Sequence, residues 1–129
     1  MPAKQFSYNK KEKLKSRKQL EQIFTEGKSL TVFPIKIFYE LNQEQDNIIK
    51  TGVGVSRKNF RKSVHRNRIK RLLREAYRTE KTELLNYLEE NKKQIALFFL
   101  YIDKTQPDYF SLKQTMQTAI KKLISEMAS

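Results

Sequence analysis

Residues 57–74 carry Arg57, Lys58, Arg61, Lys62, Arg66, Arg68, Lys70, Arg71 and Arg74, and the next acid comes only at Glu75. Packing so many like charges together costs self-repulsion unless a polyanion neutralises them. The chemistry open to them is charge-assisted hydrogen bonding to phosphate. Arginine, which makes such bonds bidentately and also stacks, dominates over lysine in 66–78. Apolar residues run through the same stretch at helical spacing. Ile69, Leu72, Leu73, Ala76 and Tyr77 follow the i, i+3, i+4, i+7, i+8 rule of a core-facing stripe. A wheel centred on that stripe puts Asn67, Lys70, Arg71, Arg74 and Arg78 on the opposite face, with Arg66 and Arg68 on its flanks. A solvated face normally mixes charge signs in i, i+4 pairs. This face is almost purely of one sign, which points to nucleic acid. Asn67, uncharged in its middle, can donate and accept to a base, a ribose hydroxyl or a hydrated metal.

A second group of residues could stack on bases. In residues 29–41 the pattern has period two, with Phe33, Ile35, Ile37, Tyr39 and Leu41 on one face and Val32, Pro34, Lys36, Phe38 and Glu40 on the other. The first set is the expected core face. Phe38 beside Lys36 then lies off the core, an aromatic next to a cation. Phe24 could seal the core or face a ligand. Phe98, Phe99 and Tyr101 read as core aromatics, and His65 as a helix-surface residue. No nucleophile–base–orienter set is present, and no pair of acids has the look of a metal-dependent nuclease centre. Cysteine is absent, which excludes disulfides and thiolate metal sites.

These residues need elements to hold them. The chain has 129 residues and a net charge of +13, from 27 basic and 14 acidic side chains. That length suits one domain with one core. Residues 1–15 read as a basic arm, and 16–129 as a single RNA-binding α/β domain. Ser16 and Gln19 form a capping-box pattern for a first helix striped by Leu20, Ile23 and Phe24 and stopped at Gly27. Residues 42–47 form a polar turn. Residues 48–56 form a strand with Ile49, Thr51, Val53 and Val55 inward, and Gly52 and Gly54 on a face open to a close backbone or RNA. The basic helix should start with Ser63 as N-cap and run on or break near Thr79. Residues 80–93 make a second helical segment through Leu84, Leu85 and Leu88. Residues 94–103 read as a strand buried on both faces. A terminal helix follows, capped by Ser111 and Gln114. No signal-peptide core is present, and the longest apolar run, 95–102, is too short to span a bilayer. A cytoplasmic location is expected.

The segments G-V-G-V-S-R-K at 52–58 and V-H-R-N-R-I-K-R-L-L-R-E-A-Y-R at 64–78 resemble the bacterial ribonuclease P protein subunit. The L-x5-L-x2-I-F-x2-G pattern at 14–27 fits the same family, so the resemblance covers most of the chain. It implies an α+β sandwich, roughly αβββαβα, whose mixed sheet has a left-handed parallel β–α–β crossover, like the second domain of a small-subunit ribosomal protein. A third early strand must then come from splitting residues 29–41 near Pro34. The resemblance also implies a monomer in a 1:1 complex with ribonuclease P RNA, removing the 5′ leader of precursor tRNA. The RNA does the chemistry with Mg²⁺ that it mainly holds, and no catalytic residue or metal ligand is assigned to the protein. By position, Arg66, Asn67, Arg68, Lys70, Arg71 and Arg74 contact the catalytic RNA, joined by Arg57 and Lys58 beside the cleft or on RNA backbone. Phe24, Lys36 and Phe38 line the leader cleft. The chain departs from the family at Arg61-Lys62-Ser63, where a small Gly-x-Ala is usual, and at Leu20, where an aromatic is common. The competing expectations are a ribosomal or ribosome-assembly RNA-binding protein and, more weakly, a basic membrane-surface binder.

Overall fold

The computed structural model describes residues 17–41 and 48–128. The expected basic arm, Ser16 of the capping box and the polar turn at 42–47 lie outside these described parts. Seven elements follow in order: α1 (Arg17–Glu26), β1 (Lys28–Val32), β2 (Ile35–Leu41), β3 (Ile49–Val55), α2 (Ser63–Glu90), β4 (Ile95–Tyr101) and α3 (Tyr109–Ala128). The order is αβββαβα. The four-stranded sheet runs β1-β2-β4-β3, with β1–β2 and β2–β4 antiparallel and β3–β4 parallel. Helix α2 is the connection between the two parallel strands.

The early apolar segment splits at Phe33-Pro34, as the third strand requires. Proline brings no N–H to a ladder, and the chain reverses there. The reversal also breaks the parity expected across 29–41. Leu30 and Val32 of β1 join Ile35, Ile37 and Tyr39 of β2 in the main core, whereas Phe33 is exposed in the turn and Leu41 at the strand end. Gly27 ends α1 because backbone crowds it on both sides. A Cβ there would lie 2.5 Å from the Ile23 carbonyl oxygen and 2.7 Å from that of Tyr39.

Helix α2 is one helix of 28 residues, with no break near Thr79. Its two apolar stripes are in phase: Ile69, Leu73, Ala76 and Tyr77 continue through Lys81 to Leu84 and Leu88, all buried. Lys81 is only 2% exposed; its charge hid that continuity in the sequence. The N-cap is Lys62 rather than Ser63. The Lys62 carbonyl accepts from the His65 and Arg66 N–H groups, and no side chain caps the helix. Helix α3 likewise starts earlier than expected. Asp108 caps it, accepting from the Ser111 N–H (2.9 Å) and hydroxyl (2.8 Å). Those two bonds hold the Asp108 carboxyl below its ordinary pKa.

The main core lies between one face of the sheet and helices α2 and α3. A smaller cluster lies under α1 on the opposite face, where Ile23 and Ala96 are buried beside Leu20, Phe38 and Phe98. Strand β4 is therefore not buried evenly on both faces: Ala96 is covered by α1, while Phe98 and Leu100 are half-open. Phe98 belongs to this second face and not to the main core.

Candidate nucleic-acid interface

Burial of the α2 stripe turns the rest of its N-terminal half outward. Asn67 and Arg71 are exposed, and Lys70 and Arg74 are half-exposed. Among the described residues Lys70, Arg71 and Arg74 make no ion pair or side-chain hydrogen bond, whereas Arg78 is paired with Glu75. Hydrogen bonds from Arg78 hold the Glu75 carboxyl below its usual range. The acid that ends the cationic row is thereby occupied, and the row keeps its sign.

The flanking arginines are partly committed within the protein. Arg66 Nη1 donates to the carbonyls of Phe60 (2.9 Å) and Arg61 (2.7 Å), bracing the β3–α2 loop. Arg68 Nη1 donates to Gln106 Oε1 (3.0 Å) and approaches the Pro107 carbonyl, bracing the β4–α3 loop. Arg68 is nevertheless exposed and Arg66 half-exposed. Arg57 and Lys58 stand exposed on the first of these loops. That loop is anchored by Asn59 Nδ2 donating to the Ile102 carbonyl (3.2 Å) and by Phe60 packing on Tyr101. Tyr101 donates to the Thr105 carbonyl at 2.7 Å, and burial, helped by the nearby Asp103 charge, pushes its pKa up to about 12.

The face opposite α2 holds an aromatic cluster. Phe38 and Phe98 are register partners across β2 and β4. Phe24 reaches over from α1, edge-on to both, with ring centroids 5.0 Å and 5.2 Å away. It is 47% exposed, so it caps this cluster rather than sealing the core. Lys36 Nζ lies 5.0 Å from the Phe38 ring centroid, within cation–π range. Phe24, Lys36 and Phe38 thus stand together. Phe98 is the member of this cluster that sequence reasoning missed, because a continuous apolar run conceals its alternation. Gly54 could have signalled it: a Cβ there would meet the Phe98 ring at 2.5 Å. That glycine makes room for the protein's own ring, not for an approaching RNA backbone. Among the described residues, no three His, Cys, Asp or Glu side chains converge to hold a metal ion.

The fold and these surfaces define a small, strongly basic α/β protein, with a cationic helix on one sheet face and an aromatic cluster on the other. The ribonuclease P family model matches residues 8–124. The chain is 33% identical over 125 residues to the ribonuclease P protein component of Porphyromonas gingivalis, covering 96% of this chain and 91% of that one. It is 30% identical to that of Chlorobium phaeobacteroides, covering 94% and 91%. Among solved structures, the RNase P protein from Thermotoga maritima superposes with a TM-score of 0.65 at 23% identity, covering 86% of this chain and 96% of that one. A Staphylococcus aureus RNase P protein, a mutant with defective mRNA degradation activity, gives 0.69 at 18% identity, covering 87% of each. The chain belongs to the ribonuclease P protein family, the protein components of a tRNA-processing endoribonuclease.

Proposed function

We propose that this chain is the protein subunit of a ribonuclease P holoenzyme, binding the catalytic RNA with α2 and the 5′ leader of precursor tRNA in the α1–sheet cleft. The observation that carries the reading is the row Lys70, Arg71 and Arg74. These cations have no acidic partner among the described residues and stand on a helix whose other face is fixed in the core. Cations presented this way meet phosphates at little ordering cost and release counterions on binding. Asn67, between the two bracing arginines, offers a donor and an acceptor to a ribose or a base edge. In the cleft, the Phe38 ring offers a surface to a base while Lys36 offers its charge to the adjoining phosphate. A single strand is the form of RNA whose bases can reach such a surface.

The protein acts as a monomer in a 1:1 complex with the RNA, in the cytoplasm. No helix among the described residues is long and apolar enough to cross a membrane. Cleavage is the work of the RNA, and Mg²⁺, held mainly by that RNA, supplies charge stabilisation at the reacting phosphate. The protein's part is to hold the leader and to lower phosphate repulsion, so that less Mg²⁺ suffices. The test is cleavage of a precursor tRNA by the cognate catalytic RNA at low Mg²⁺, with and without this protein. A large, salt-sensitive stimulation giving the mature 5′ end is expected. Tight RNA binding without stimulation would refute the reading and favour a ribosomal or assembly role.

A further inference from the structure

Five large apolar side chains are exposed among the described residues. Three of them, Phe33 (64%), Val64 (70%) and Phe110 (78%), stand at one end of the molecule. The sheet register fixes that end. Ile35 and Val55 both pair with Tyr101, so the β1–β2 turn, the β3–α2 loop and the β4–α3 loop emerge together. The Ile102 N–H donates to the Pro34 carbonyl at 2.9 Å, tying the turn to the end of β4. Pro34 and Ser111, the chain neighbours of the two phenylalanines, line one cavity of about 240 Å³ at this end. The main core is built without either ring.

The same end carries the exposed cations Arg57, Lys58, Arg61 and Lys62. Its two acids are turned to local use, Asp103 accepting from Thr105 Oγ1 and Asp108 from Ser111. A protein partner is normally met by a contiguous apolar patch depleted of charge. Exposed aromatic rings among cations instead suit unpaired nucleotides, with bases stacked and phosphates neutralised. Val64 and Phe110 lie on α2 and α3, and Arg68 spans from α2 to the loop just before α3. The surface therefore continues the cationic row of α2.

We propose that this end is a second contact surface for the RNA docked on α2, where Phe33 and Phe110 stack on unpaired bases and Arg61 and Lys62 hold the adjoining phosphates. The proposal rests on the reading of α2 as the RNA-docking helix. Its test compares F33A/F110A, F33L/F110L and R71A for binding to the cognate ribonuclease P RNA over a range of salt concentrations, and for binding of precursor tRNA by the assembled holoenzymes. Both rings are exposed, so the melting temperature should stay in place. The alanine pair is expected to weaken binding by roughly 5- to 100-fold per base stacked, with the salt slope unchanged. The leucine pair should bind as weakly as the alanine pair, because it keeps apolar bulk and loses the flat ring. Full affinity in the leucine pair would overturn the stacking claim. Unchanged affinity in the alanine pair, with R71A weakened, would overturn this surface and leave the α2 reading intact. A defect confined to precursor tRNA would assign the rings to substrate and overturn the proposal. Unchanged binding in R71A as well would overturn both readings.

Discussion

Arg66 and Arg71 lie on one helix and carry the same guanidinium, yet they reach different partners. Arg66 spends a nitrogen on two loop carbonyls, whereas Arg71 is exposed and makes no ion pair among the described residues. Replacing Arg71 with alanine should leave the melting temperature unchanged. It should weaken RNA binding and lower the salt slope by about one. Replacing Arg66 should cost about 1 kcal/mol of folding stability as well, since two carbonyls lose a charged donor. Urea titration beside salt-dependent binding separates the two cases, and equal stability in both variants would deny the brace. In the cleft, Phe38→Ala should weaken holoenzyme binding of precursor tRNA by about 1–3 kcal/mol and leave leaderless tRNA unaffected. An equal loss for both substrates would mean that the ring serves packing alone. Phe38 and Lys36 could be read from period two alone. Phe98 could not, because its apolar neighbours on both sides gave no alternation to read.

At the scale of elements, two helices begin earlier than their serine signals suggest, and in both the bonds that set the start are local. Ser63 and Ser111 look like caps, but the cap positions went to Lys62 and Asp108. Asp108 makes helix α3 sensitive to pH. Its folded pKa lies below the unfolded value, so its contribution is complete above about pH 4 and is lost as pH falls through the folded pKa. Asp108→Ala should lower the melting temperature at pH 7 and reduce the further drop on acidification, as thermal scans across pH 2–7 would reveal. Asp108→Asn, which can still cap, should keep more of the stability at pH 7. Gly27 joins α1 to β1 with carbonyls pressed against it from two sides. Gly27→Ala should therefore cost about 2 kcal/mol or more in urea unfolding, since neither backbone can yield cheaply. A neutral result would mean that α1 can shift on the sheet.

Over the whole molecule, two layers of unequal strength cover the sheet. Helices α2 and α3 share the large core, while α1 is held mainly by the small cluster around Ile23 and Ala96. Amides of α1 should therefore exchange with solvent faster than those in the centre of α2, through local opening rather than global unfolding. Catalytic RNA bound at α2 should leave that difference in place, whereas a bound leader should slow exchange in α1. Equal protection of α1 and α2 in the free protein would contradict this layering. Much of this architecture was already determined by the sequence. The one-signed charge of 57–74, the apolar stripe beneath it and the Arg66-Asn67-Arg68 triplet fixed the helix, its outward face and the family, because charge and periodicity are local properties of the chain. The tertiary structure alone decided which cations are free and which brace loops, that Phe98 joins the aromatic cluster, and that Phe33, Val64 and Phe110 gather at one end. Those facts depend on strand register and on loops meeting across long sequence separations, and no local pattern encodes such meetings.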